Sequence, residues 1–160
     1  MKILIDTNVL LDALLEREPN AKVTAKLLDL LCFDLCEAYV ATKAITDLHY
    51  TLRKFMKGSK ESVRSAIGSC LCLVELADTT GKDVRYAFTS SMTDFEDSIV
   101  ASVAANYGID YIITSDKKGF TDSPVPSITP DTAVEMLQKI YDENYSGKTP
   151  HSTLATAYFK

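Results

Sequence analysis

Five short apolar runs are spread along the chain, and helical patterns fill most of the intervals between them. The runs are residues 2–6, 39–42, the stretch around Val74, 110–114, and the short "VPSITP". The first is apolar without alternation, as in a strand covered on both faces. The spacing predicts a helix over residues 7–16 and a second in "NAKVTAKLLDLLCFDLCEA", with Asn20 as its cap. It predicts a third in "KAITDLHYTLRKFMKG", with Ile45, Leu48, Leu52 and Phe55 as its stripe and Gly58 as its stop. "SKESVRSAIGSCL" starts at Ser59 or Ser62, and "TGKDVRYAFTSS" is short. "TDFEDSIVASVAANYG" opens at Thr93 or Asp94 and closes at Gly108, and "PDTAVEMLQKIYDEN" has Pro130 in its first turn. Strands interleaved with helices specify an α/β fold with a mainly parallel sheet of about five short strands.

With 160 residues, 46% of them hydrophobic and 24% charged, the chain has the composition of one globular domain. No run approaches the length needed to cross a membrane. Asp6 and Asp12 interrupt the N-terminal apolar region, so it does not read as a signal peptide, and a cytoplasmic location is expected. The four cysteines, Cys32, Cys36, Cys70 and Cys72, form no C-x-x-C pair and read as small hydrophobes rather than a zinc site. The final stretch, "YSGKTPHSTLATAYFK", has no period. It divides the chain into a domain over residues 1–141 and a mobile or partner-dependent tail over 142–160.

The carboxylates are more informative. In an open parallel sheet, ligands lie outside the carboxyl ends of the strands. Asp6 ends the first strand and Asp116 follows the fourth, so both point to that edge. Asp94 and Asp97 are three apart at the start of a helix and share one side of it. Taken alone, Asp94 is an N-cap and Asp97 an acid that complements the helix dipole. Asp47 flanks the apolar stripe of its own helix. Acids from four segments at one edge cannot all stay ionised without a cation. Ligands that are all oxygen favour Mg²⁺ or Mn²⁺, and such sites perform phosphate chemistry. His49 and His151, the two histidines, form no nucleophile–base constellation.

Four blocks, "ILIDTNVLLDAL", "ITDLHYTLRK", "DFEDSIVASVAANYGIDYIITSD" and the late "GF", resemble in order and spacing the PIN-domain nucleases. Within that family the chain looks most like the toxin component of bacterial VapBC toxin–antitoxin pairs. The resemblance covers residues 1–141. It implies a three-layer α/β/α sandwich and a Mg²⁺- or Mn²⁺-dependent endoribonuclease that cleaves phosphodiesters with a metal-activated water. It also implies a homodimer and an inhibitory antitoxin partner. The family's acidic quartet falls on Asp6, Asp47, Asp97 and Asp116, with Asp6, Asp97 and Asp116 as the inner metal ligands. Thr7 and Asn8 match the polar residues after the first acid, with Thr7 expected to hydrogen-bond Asp6. Asp94 is a supporting acid.

Two positions depart from the family's pattern. Its second acid is usually Glu, one methylene longer than Asp47. A second late acid is often found where this chain has Gly119. These departures leave room for another reading, a weak or inactive PIN-like domain that binds RNA or regulates. Phosphoacceptor and haloacid-dehalogenase-type domains fit less well, because Asn8 stands where the latter needs its second acid. A net charge of −5 argues against a broad basic surface. Setting the quartet aside brings the 22 acidic side chains close to parity with the 17 basic ones. Local RNA-binding candidates are then Arg53, Lys54 and Lys57, near Lys60 and Arg64, and Lys117 and Lys118 beside Asp116.

Overall fold

A computed structural model describes residues 1–56 and 58–145. The elements run β1 (Lys2–Ile5), α1 (Thr7–Leu14), α2 (Ala21–Leu31), β2 (Glu37–Ala41), α3 (Thr42–Phe55), α4 (Lys60–Leu71), β3 (Glu75–Ala77), α5 (Gly81–Thr89), α6 (Phe95–Asn106), β4 (Tyr111–Ile113), β5 (Ser127–Ile128) and α7 (Pro130–Tyr145). All strand pairs are parallel, in the order β3-β2-β1-β4-β5. The expected α/β architecture is therefore present, with five strands at its centre.

The order of the strands fixes the place of a site. From β1 the chain builds outward through β2 and β3, then returns to add β4 on the other side of β1. The direction of winding reverses between β1 and β4, and in such sheets ligands bind outside the carboxyl ends of the strands at that point. β1 is the middle strand, with Ile3, Leu4 and Ile5 at 1% exposure or less. Burial on both faces explains why its sequence does not alternate. Ile5 pairs with Ile113, and the Asp6 amide donates to the Ile113 carbonyl at 2.9 Å.

Helix α6 is buried through Ser98–Ala104. Ala101 and Ala104 are fully buried. Its N-terminus is set by Asp94, whose Oδ1 accepts the amides of Glu96 (2.8 Å) and Asp97 (3.0 Å). α5 is fastened to α6 through Asp83, 1% exposed. Its carboxylate accepts from the Thr80 amide and hydroxyl (both 2.7 Å), the Ser102 hydroxyl and the Asn106 amide (both 2.8 Å).

Several ends differ from expectation. Asn20 is already helical and caps nothing with its side chain; its amide instead donates to Asp12 at 3.0 Å. Gly58 does not close α3, which stops at Phe55 when Met56 turns extended. The next helix starts at Ser59, which accepts the Ser62 amide at 3.2 Å. α1 ends at Leu14 rather than Glu16, which takes a positive φ of 50°. α7 runs past Tyr141 to Tyr145, whose ring stacks on Tyr141 while Phe33 meets both edge-on. The remainder of the expected tail lies outside the described residues. Burial pushes the Cys36 thiol up to about 11 and the Cys70 thiol up to about 12, which leaves both protonated and inert. No described helix is long and apolar enough to cross a membrane.

Candidate active site

Asp6 leaves β1 in extended conformation at the carboxyl edge, 5% exposed. Burial pushes its carboxyl above the ordinary range. The Thr114 hydroxyl and the backbone of Thr7 and Asn8 offset part of that, while Asp116 adds to it. Thr114 Oγ1 donates to Asp6 Oδ2 at 2.8 Å and accepts the Asp116 amide at 3.0 Å. One buried hydroxyl thus joins the acid after β1 to the acid after β4. The hydroxyl expected on Asp6 was that of Thr7; the one that orients it is Thr114. Thr7 starts α1 partly exposed, and Asn8 is exposed.

Asp116 follows in an exposed turn, with the Lys118 amide donating to its Oδ1 at 3.1 Å. The turn is held from below: Ser115 donates to Asp12 Oδ2 at 2.8 Å, and Phe120 is buried. Asp12 is itself 7% exposed, with Arg17 Nη1 4.0 Å away.

Asp97 lies in the first turn of α6, half-buried. Its carboxyl is pushed up to about 7, first by burial and then by the negative charges of Asp6, Asp94, Asp116 and Glu96. Three acids expected at the site, Asp6, Asp94 and Asp116, and with them Glu96, are therefore close enough for their charges to be felt at the Asp97 carboxyl. Gly119 backs directly onto it. A Cβ at position 119 would stand 1.8 Å from Asp97 Oδ2, so no side chain fits there while Asp97 lies as it does.

Asp47 does not join that group. Its Oδ2 lies 2.5 Å from Lys43 Nζ, and the same ammonium reaches Glu96 Oε2 at 3.3 Å. Burial works against the charge on Lys43, but the two carboxylates outweigh it and hold its pKa above the ordinary value. Lys43 and Glu96 escape a reading of the sequence, because an i,i+4 pair on a helix is usually a wet surface contact. Thr114 escapes it too. Its one signal is its place two residues before Asp116 at the end of the strand beside β1.

Of the candidate cations, Lys117 and Lys118 sit in the exposed turn after Asp116, next to the acids. Arg53 and Lys54 are exposed at the far end of α3, about 15 Å along the axis from Lys43. Lys57 lies outside the described residues. Among the described residues, no three His, Cys, Asp or Glu side chains form a ready-made metal group. The donor chemistry nonetheless suits a hard cation, being all carboxylate oxygen, with a pKa at Asp97 that records mutual repulsion.

The fold has relatives among solved structures. VapBC2 from Rickettsia felis, bound to a DNA fragment from its promoter, matches with a TM-score of 0.62 at 20% identity, over 81% of this chain and 98% of that one. PAE2754 from Pyrobaculum aerophilum matches at 0.64 and 16% identity, over 87% and 96%. FitAcB from Neisseria gonorrhoeae matches at 0.60 and 20%, over 80% and 97%. No curated protein matches the chain. Residues 2–118 match the PIN domain. That span holds Asp6, Asp47, Asp97 and Asp116, and the chain belongs to the PIN-domain family.

Proposed function

We propose that this protein is a toxin-type endoribonuclease that depends on Mg²⁺ or Mn²⁺. The observation that carries the reading is the link from Asp6 through the Thr114 hydroxyl to Asp116 where the sheet reverses direction, with Asp97 close enough to feel both charges. Asp6, Asp97 and Asp116 would hold the cation, with Asp47 as an outer member. Bound there, the cation supplies an activated water and neutralises charge on the phosphate. Thr114 fixes the Asp6 carboxylate and the start of the Asp116 turn together. Asp94 caps α6 so that Asp97 is held in its first turn. Lys117 and Lys118 draw the RNA backbone toward Asp116. The products would carry 3′-hydroxyl and 5′-phosphate ends.

Cleavage of structured and unstructured RNA, measured with Mg²⁺, with Mn²⁺ and with EDTA, tests this. Wild type should cleave only with metal, and Asp97→Asn should lose at least about 100-fold. Metal-independent cleavage, or none on any RNA, overturns the reading. The ion pair of Asp47 with Lys43 favours one alternative, a domain that binds RNA and metal without cutting. The same assay, paired with binding, separates the two.

The likeness to VapBC2 and FitAcB supports an antitoxin partner; a homodimer and a cytoplasmic location are part of the same proposal. A groove floored by Leu14, Leu28 and Met56 and edged by Glu16, Asp29 and Glu61 suits an apolar segment carrying basic residues. Co-purification with the product of a small adjacent open reading frame tests the partner. Light scattering tests the dimer.

A further inference from the structure

We infer that Lys43 is an RNA-phosphate contact of this site, held ready by two carboxylates; the inference rests on the ribonuclease reading above. An acid-lined site repels a polyanion, so the substrate backbone must be met by cations set into the rim. On the Asp116 side these are Lys117 and Lys118, both exposed. On the opposite side, the cation at the rim is Lys43, in the first turn of α3, just after β2 ends. Its side chain is 22% exposed, and its ammonium lies between Asp47 Oδ2 (2.5 Å) and Glu96 Oε2 (3.3 Å). Glu96 is the neighbour of Asp97 and one of the charges felt there. Among the described residues, Lys43 alone has ion pairs to two carboxylates, and those come from different helices.

An exposed lysine is a loosely held charge, and ordering its long side chain is costly. Asp47 and Glu96 fix this one before any substrate arrives. An ammonium has three donors, of which the two carboxylates take two. The third remains for a non-bridging phosphate oxygen beside the acid group. Asp47, one methylene short of the family's usual Glu, is placed to position Lys43. Arg53 and Lys54 cannot share this role, since they stand at the other end of α3.

The test measures binding of a labelled single-stranded RNA to Asp97→Asn protein over a salt series. Adding Lys43→Ala should weaken binding about tenfold, the loss of one charge-assisted hydrogen bond. It should also lower the slope of log affinity against log salt by about 0.7, the signature of one lost phosphate contact. Lys43→Gln keeps the stem and polarity without the charge and should behave as Lys43→Ala, so a folding defect in the alanine variant does not close the question. Lys43→Arg should restore the slope. Glu96→Gln removes one tether but no cation and should leave the slope unchanged. If both Lys43 variants keep the parent's affinity and slope, Lys43 is only a strut between α3 and α6. A parent that binds RNA beside a wild type that never cleaves overturns the nuclease reading alone. A parent that binds no RNA beside a wild type that cleaves overturns the Lys43 inference alone.

Discussion

Asp97 combines two properties that pull apart. It is placed among several acids whose charges it feels, and burial and those charges make it uncomfortable as an anion. A carboxyl whose pKa is raised in the fold keeps its proton while the unfolded chain has lost its own. Stability from this residue is therefore full below about pH 4 and is lost as pH rises to about 7. Asp6 acts in the same direction. Asp97→Asn should then melt at a higher temperature than wild type at pH 8 in EDTA, with the difference fading toward pH 4. Thermal melts at the two pH values check it. Gly119 separates stability from function in another way. The atom that blocks a side chain there is the end of the Asp97 carboxylate, which can swing aside. Gly119→Ala should keep its unfolding free energy within about 1 kcal/mol of wild type, yet lose metal affinity because Asp97 has turned away. Denaturant titration and metal calorimetry, read together, show whether the two part.

Between elements, the strongest polar fastening is Asp83, which takes four hydrogen bonds from α6 and from the residue that caps α5. Burial alone would raise its pKa, but those donors outweigh it and the value is lowered. Its contribution is present above about pH 4 and fails as the solution is acidified through its folded pKa, opposite in sign to that of Asp97. Asp83→Ala should cost about 3 kcal/mol, the price of leaving several buried donors unpaired, measured by urea unfolding at pH 7. The elements were largely legible in the sequence, because apolar period and length separate buried strands from amphipathic helices. Their ends were less so. Asn20 and Gly58 are the usual residues for a cap and a stop, but Asp12 claims the Asn20 amide and Met56 turns the chain before Gly58. Site residues followed the same division. Asp6, Asp94, Asp97 and Asp116 could be placed from the ends of the elements that carry them. Thr114 could not, because its partner is 108 positions away and only the register of β1 on β4 brings them together. Nor could the reach of Lys43 to Glu96, which arrives from another helix.

For the whole molecule, the opposed slopes of Asp97 and Asp83 predict a stability maximum in mildly acidic solution when metal is absent. Mg²⁺ or Mn²⁺ at 100 times its dissociation constant should add about 2.7 kcal/mol at neutral pH by binding the folded state alone. That gain should vanish in Asp97→Asn. A melting series with and without each ion measures it, and equal shifts in both proteins would remove Asp97 from the ligand set. The strand order bears also on synthesis. β1, β2 and β3 can pair as soon as they leave the ribosome, but the edge of β1 that carries Asp6 stays open until β4 has been made. Thr114 and Asp116 are then the last parts to arrive, more than 100 residues after the acid they complete. A nascent or truncated chain that stops before them holds Asp6 without the residues that join it. The acid group is complete only when the fourth strand has been laid beside the first.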